Sequence, residues 1–185
     1  AYLTAAGIPG IAEIDTRALT RHLRTRGVVM GTITRDEDAA QALTRLETEP
    51  EYGAQDYVAQ VSTPAPYDFE DERAAVERAV LPDGPDGRAN GPGPHIVVLD
   101  LGVKRNIMRL LQRRGCSVTA VPHSTDAEQV LGLRPDGVLL SPGPGDPMLL
   151  DRVVTAARGL VGRVPLMGIC LGHQVLGRVF GAGTY

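Results

Sequence analysis

Four short apolar runs divide the second half of the chain, and each is followed by a segment with apolar residues at helical spacing. Runs of this length without polar alternation are typical of strands covered on both faces of a sheet. The predicted strands are 96–100, 117–121, 137–141 and 164–169, and the predicted helices are 106–114, 126–131, 149–160 and 174–180. Repeated β-α units of this size predict an α/β fold with a doubly wound parallel sheet and right-handed crossovers.

The first 61 residues show a different pattern, in which helical segments flank one apolar run. Asp15 is placed to cap a helix that ends near Arg26, before a stop signal at Gly27. The apolar run predicts a strand over 28–34, and Asp36 is predicted to cap a second helix. We interpret this segment as part of a smaller α/β domain that precedes the sheet domain.

Residues 62–94 separate the two patterns and carry six prolines and four glycines. Such a composition is typical of a linker, although a short helix over 73–80 is compatible with it. The sequence therefore predicts three parts: an N-terminal domain segment at 1–61, a linker at 62–94 and the sheet domain at 95–185.

Composition and charge narrow the classes of function. The 185 residues include no tryptophan and only 4% aromatic residues, and the net charge is −3. These values disfavour a nucleic-acid surface and an anionic membrane as partners, and no apolar run has the length of a membrane span. The two cysteines are far apart and lack metal-ligand neighbours, so we expect no disulfide framework, no metal site and a cytoplasmic, reducing location.

The strongest candidate for chemistry is Cys170, which stands between Gly168 and Gly172 where a predicted strand meets a predicted helix. This is the pattern of a nucleophile elbow, in which a strained turn lifts the nucleophile off the carboxyl edge of the sheet. The turn needs glycine on both sides of the cysteine, because a Cβ at either position would clash with the neighbouring strand or helix. The following helix N-terminus favours a thiolate. The alternative interpretation is a buried structural thiol.

A second candidate is the loop 141–147, which contains three prolines and two glycines and follows the strand predicted to neighbour the elbow. Its composition predicts a rigid backbone. Acyl transfer needs donors aimed at a developing oxyanion. The backbone N–H groups of Gly143 and of Leu171, the residue after the cysteine, are candidates for that task. The alternative is an ordinary turn before a helix.

The histidines do not complete this site. His173 lies close to Cys170 in sequence, but its side chain should project along the helix, and the base of a thiol nucleophile normally comes from a distant segment. The remaining histidines are predicted to be half-exposed loop residues or to lie in the first domain: His22, His95 and His123. Cys116 is predicted to be an inert core thiol. We expect a chain that stops before its catalytic base.

Taken together, these motifs resemble those of a known protein family over nearly the whole chain except the linker. Residues 168–174, Gly-Ile-Cys-Leu-Gly-His-Gln, resemble the nucleophile motif of the class I glutamine amidotransferases, and loop 141–147 resembles their oxyanion loop. Residues 14–24 and 100–107 are similar to segments of the small subunit of carbamoyl-phosphate synthetase.

The resemblance implies a function and a set of residue roles. Cys170 would form a glutamyl thioester, Gly143 and Leu171 would donate to the oxyanion, and Gly145 and Gln174 would help to bind L-glutamine. No cofactor is implied in this subunit. Its partner would be the large ATP-dependent subunit of a heterodimeric ligase, which receives ammonia through a tunnel and makes carbamoyl phosphate for arginine and pyrimidine synthesis.

The family's catalytic histidine and glutamate belong to a motif farther along the sequence than residue 185. We therefore expect an internal piece of the subunit with little glutaminase activity alone. Two other hypotheses stay open, namely the glutaminase component of another class I amidotransferase and a non-catalytic binding or assembly module. An unrelated cysteine hydrolase is a third alternative, which would not explain the Pro/Gly loop together with the first domain.

Overall fold

A computed structural model of the chain describes residues 2–71 and 93–183. The chain divides into two compact units, Ala1–Gln55 and Asp56–Tyr185. The predicted division into 1–61, 62–94 and 95–185 stays a prediction, and the helix suggested at 73–80 lies outside the described residues.

The first unit contains helical segments. These are α1 (Tyr2–Ala5), α2 (Thr16–Arg26), α3 (Ala39–Leu46) and a 3₁₀ turn at Tyr52–Ala54. The limits predicted for α2 are confirmed, because the Asp15 carboxylate accepts a hydrogen bond from the Ala18 N–H at 2.8 Å and Gly27 ends the helix with φ 77°. A positive φ of this kind is the usual reason for glycine at a helix end.

Two predictions for the first unit are wrong. Asp38, not Asp36, caps α3, because its carboxylate accepts from the Gln41 N–H while the Gln41 side chain accepts from the Asp38 N–H. This reciprocal capping box outweighs a lone acidic residue. Residues 28–34 form no strand, since no segment of the described residues pairs with them. A strand needs a neighbour to satisfy its backbone groups.

The second unit is built on a five-stranded sheet in the order β1-β3-β2-β4-β5. Its strands are β1 (Tyr67–Asp68), β2 (His95–Asp100), β3 (Ser117–Pro122), β4 (Gly137–Leu140) and β5 (Leu166–Gly168). Strands β2 to β5 are parallel, whereas β1 pairs antiparallel with β3. The predicted α/β fold is therefore confirmed, and the sheet is mixed because of β1.

Helices cover both faces of this sheet, as a doubly wound fold requires. They are α4 (Tyr57–Val61), α5 (Arg105–Arg113), α6 (Ala127–Gly132), α7 (Asp151–Leu160) and α8 (Leu171–Val179). Along β2 the side chains alternate between two core clusters, so Val97 packs with α7 and α8 while Val98 packs with Met108 of α5. The predicted cap of α6 is confirmed by a 2.8 Å bond from the Gln129 N–H to Asp126.

Part of the predicted linker belongs to the sheet, because β1 lies within it and Phe69, the residue after β1, is buried in the core. Phe69 is only 2% exposed, and its N–H donates to the Val118 carbonyl at 2.8 Å. The Thr63 N–H donates to the Asp100 carboxylate at 2.9 Å. The sequence did not predict β1 or the core position of Phe69, because the segment is rich in proline and one aromatic side chain among polar neighbours gives no periodic signal.

Among the described residues no helix combines the length and the apolar character needed to cross a membrane.

Candidate active site

Cys170 lies on the two-residue turn between β5 and α8. Its backbone has φ 53° and ψ −113°, a left-handed φ that non-glycine residues adopt at a cost of about 1–3 kcal/mol. The residue is exposed to solvent. The alternative of a buried structural thiol is therefore wrong, and the strand–turn–helix context expected of a nucleophile elbow is present.

The two flanking glycines make this turn possible. A Cβ on Gly168 would lie 2.5 Å from the carbonyl carbon of Gly172, and a Cβ on Gly172 would lie 2.2 Å from the carbonyl oxygen of Leu140. Both distances are far inside van der Waals contact with backbone atoms, which cannot rotate away. The backbone of the elbow therefore presses directly on the end of β4.

The backbone N–H groups in the first turn of α8 differ in whether they already have an acceptor. The Gln174 N–H donates to the Cys170 carbonyl at 3.1 Å, which begins the helix, and the Gly172 N–H donates to Ile169. In the described part of the chain, the N–H of Leu171 has no protein acceptor. An oxyanion donor must have its N–H available in this way. The Gln174 side chain is exposed in the first turn of the helix that Cys170 precedes.

The loop 141–147 leaves the same edge of the sheet as the elbow. Strands β4 and β5 are parallel neighbours, with Leu140 opposite Gly168, and the Ile169 N–H donates to the Leu140 carbonyl at 3.1 Å. Parallel strands place both following segments at one carboxyl edge, where ligands bind in such sheets. The structure therefore brings the Pro/Gly loop and the cysteine turn to a common edge, as predicted.

The loop is held against the turn that follows β2. Ser141 is fully buried, and its hydroxyl accepts from the Leu101 N–H at 2.9 Å while donating to the Pro142 carbonyl at 2.8 Å. A Cβ on Gly143 would lie 1.9 Å from the Leu101 carbonyl oxygen, so only glycine fits there. Among the described residues the N–H of Gly143 has no protein acceptor. Gly145 has φ 97°, and a Cβ added there would lie 3.7 Å from the Tyr57 ring.

Asp100 is a structural anchor of this edge that sequence reasoning did not single out. The carboxylate is only 5% exposed and accepts from three backbone N–H groups, those of Gly102 at 2.9 Å, Val103 at 2.8 Å and Thr63 at 2.9 Å. Burial and the negative charge of Asp100 raise the pKa of Tyr67. The available signal was an aspartate at a strand end, two residues before Gly102, which is typical of an Asx turn.

No described histidine of the second unit forms a hydrogen bond with the Cys170 thiol. Within residues 2–71 and 93–183, the Cys170 side chain has no hydrogen-bond partner. His173 is exposed on α8. His95 starts β2 at the opposite edge of the sheet, with its Nε2 atom 2.8 Å from the Thr119 hydroxyl, and His123 follows β3. The described residues also contain no cluster of three metal-ligating side chains.

Replacing Ser141 with alanine tests the anchoring of the loop. The substitution leaves the buried Leu101 N–H without an acceptor, so we expect a loss of about 1–3 kcal/mol in the free energy of unfolding, measured in urea. Thr155→Ala removes an exposed hydroxyl that bonds only its own helix at Asp151, and should change stability by less than about 0.5 kcal/mol. Equal effects of the two substitutions would contradict the anchoring role.

Comparisons with known proteins agree with this geometry. Residues 97–185 match the family profile described as glutamine amidotransferase class-I, which includes the loop and the elbow. Residues 1–33 match a second profile, described as carbamoyl-phosphate synthase small chain, CPSase domain. The fold and this match thus identify residues 97–185 as a class I glutamine amidotransferase domain.

The curated relatives indicate a narrower family than the class I profile does. The carbamoyl phosphate synthase small chains of Symbiobacterium thermophilum, Methanopyrus kandleri and Solidesulfovibrio magneticus are 43%, 41% and 45% identical to this chain. Each match covers 100% of the chain and 47–48% of the relative, so the chain spans about half the length of these relatives. The chain belongs to the carbamoyl phosphate synthase small chain family.

Proposed function

We propose that this chain carries the nucleophile of a glutamine-hydrolysing site, with Cys170 as the attacking residue. The observation that carries the proposal is the exposed thiol on a turn with φ 53°, between two glycines that admit no side chain. Strain of this kind is retained where the surrounding structure holds a residue for function. A structural cysteine would need neither the exposure nor the left-handed backbone.

The proposed reaction is acyl transfer through sulfur. The Cys170 thiolate adds to the carboxamide carbon of L-glutamine, and the carbonyl electron pair moves onto oxygen, where the N–H groups of Leu171 and Gly143 donate to it. The C–N bond then breaks, and the nitrogen takes a proton and leaves as ammonia. Water attacks the thioester, the C–S bond breaks, and glutamate and the thiol are released. Every step is a polar addition or elimination, so we propose that no cofactor takes part.

We assign substrate binding to Gly145 and Gln174. Gly145 has φ 97° and lies in the loop after the neighbouring strand, and Gln174 is exposed in the first turn of α8, where its N–H donates to the Cys170 carbonyl. Efficient hydrolysis also needs a general base and acid, worth about 10²–10⁴-fold in rate. Since no described histidine bonds to the thiol, we propose that this chain alone hydrolyses glutamine slowly.

We propose a carbamoyl phosphate synthase large chain as the partner that consumes the ammonia in an ATP-dependent ligase reaction. The names of the relatives support this choice, because a small chain implies a large one. The match at residues 1–33 favours it over another class I amidotransferase, since that segment belongs to a profile specific to these small chains. Carbamoyl phosphate would then serve arginine and pyrimidine synthesis, in a cytoplasm that keeps the thiol reduced.

Substrate protection tests the proposed function. L-Glutamine should slow the alkylation of Cys170 by iodoacetamide about tenfold when its concentration is roughly ten times its Kd, because occupancy shields the thiol. L-Asparagine, one methylene shorter, should give much weaker protection. The rate is read by mass spectrometry of the Cys170 peptide, with the Cys116 peptide as the internal reference. Absence of protection, or equal protection by asparagine, would contradict a glutamine site and favour the non-catalytic module.

A further inference from the structure

Arg178 occupies a position on α8 where the helix pattern calls for an apolar residue. It follows Leu171 and Val175 at helical spacings of seven and three residues, and both of those side chains are buried in the core that α8 shares with β4. The Arg178 side chain is itself only 15% exposed. A sheltered guanidinium is unfavourable unless its donors are satisfied, so its partners show what it does.

Its partners belong to the segment that ends the Pro/Gly loop. One terminal nitrogen, Nη1, donates to the Pro147 carbonyl at 2.7 Å, and the other, Nη2, lies 2.7 Å from the Asp151 carboxylate. The Asp151 side chain is 82% exposed, so water screens that ion pair. Both bonds are charge-assisted, but the one to the Pro147 carbonyl is the more sheltered from water, so we take it as the restraint that solvent weakens less.

With the bond from Arg178 to the Pro147 carbonyl, loop 141–147 is anchored at both of its ends. At its start, loop 141–147 is fixed by the buried Ser141 hydroxyl on the Leu101 N–H. At its end, Asp146 accepts from the Met148 N–H at 2.8 Å, and Pro147 is held by Arg178. Arg178 therefore links the loop that carries Gly143 to the helix whose first residue, Leu171, follows the nucleophile.

We infer that Arg178 is a positioning residue for the thiol site. It holds the loop and the elbow helix at a fixed separation, so that the N–H groups of Gly143 and Leu171 stay aligned on one oxyanion. The inference rests on the proposed function, because alignment matters only if a tetrahedral adduct forms at Cys170. Arg178 touches neither the substrate nor the sulfur, and it acts through the Pro147 carbonyl.

The test compares two alkylating reagents on Cys170 in the full chain. A chloroketone analogue of glutamine reacts through addition to its carbonyl and so uses the oxyanion donors, whereas iodoacetamide needs only an exposed thiol. The readout is the ratio of the two rates for Cys170, with the melting temperature recorded alongside. A merely structural role would change the melting temperature, or both rates together, and would leave the ratio unchanged.

Three variants separate the contribution of the bond to the Pro147 carbonyl from that of the ion pair with Asp151. Arg178→Met keeps an apolar stem of similar length and removes the donors, and we expect the rate ratio to fall on the order of tenfold through misalignment. Arg178→Lys retains one charged donor and should recover part of the ratio. Asp151→Asn removes the exposed ion pair but leaves the bond to Pro147, and should keep the wild-type ratio.

The outcomes distinguish this inference from the function on which it rests. If the wild-type chain shows no preference for the chloroketone and no protection by glutamine, the proposed function fails and the positioning role falls with it. If the wild type is selective and Arg178→Met keeps the full ratio, the function stands and the positioning role is wrong. An equal fall in Asp151→Asn and Arg178→Met would also overturn it, because the bond to Pro147 would then not be the determinant.

Discussion

The chloroketone analogue of glutamine is expected to alkylate Cys170 at least about a hundredfold faster than Cys116. Cys170 is exposed at the N-terminus of α8, next to the Leu171 N–H that we propose as an oxyanion donor, and a well-oriented encounter accelerates the reaction strongly. Cys116 is half-buried and packs against the core cluster of Val98 and Met108. In the reaction a C–S bond forms and chloride leaves. The two rates follow from quantitative mass spectrometry of the two cysteine peptides.

Two controls make this result specific. In denaturing urea the two cysteines should react at similar rates, because the difference arises from the fold and not from the reagent. The Cys170→Ala chain should lose the fast phase and keep the slow one. Comparable rates in the folded chain would contradict a glutamine-binding thiol site, and they would favour the hypothesis of a non-catalytic assembly module.

The elbow could be predicted from sequence because the two glycines beside the cysteine are themselves the signal, even though the contact that excludes a Cβ at Gly172 is with the distant Leu140. Glycines at 168 and 172 are required by contacts within the turn and with the neighbouring strand end, and the residue types alone announce that requirement. The same holds for α2, whose Asp15 cap and Gly27 stop lie within three or four residues of the groups they serve. Apolar runs likewise located β2 to β5. Most of β2, β3 and β4 is buried, so these strands carry no competing polar pattern, and β5 is apolar even though Met167 is exposed.

The features that were missed depend on distant partners. One of the three N–H groups that hold Asp100 belongs to Thr63, 37 residues away, and Arg178 bonds to a carbonyl 31 residues away. Nothing in the local pattern of either residue identifies these groups. The strand β1 escaped prediction for the same reason, because its two residues are defined only by pairing with β3. Residues 28–34 show the converse, since strand-like composition forms no strand without a neighbour.

Gly172→Ala is expected to destabilise the second unit by about 3 kcal/mol or more, since a Cβ there would stand 2.2 Å from the Leu140 carbonyl oxygen and 2.8 Å from the Leu140 Cβ. The obstacle is the end of a central strand, so relief requires α8 to move away from β4. That movement would also displace the N–H of Leu171 from Cys170. We therefore expect both a lower midpoint of urea unfolding and a loss of chloroketone selectivity.

Gly177→Ala is the matched control on the same helix. A Cβ at this position would meet only the Ala182 Cβ at 3.7 Å, an ordinary contact, and alanine is a better helix former than glycine. This substitution should therefore stabilise the unit by about 0.5–1 kcal/mol and leave Cys170 selectivity unchanged. If both alanine variants were equally stable, α8 would not be pressed against β4, and the close approach that presents the thiol would be refuted. Opposite signs at two glycines five residues apart can arise only from their different surroundings, because the change in side chain is identical.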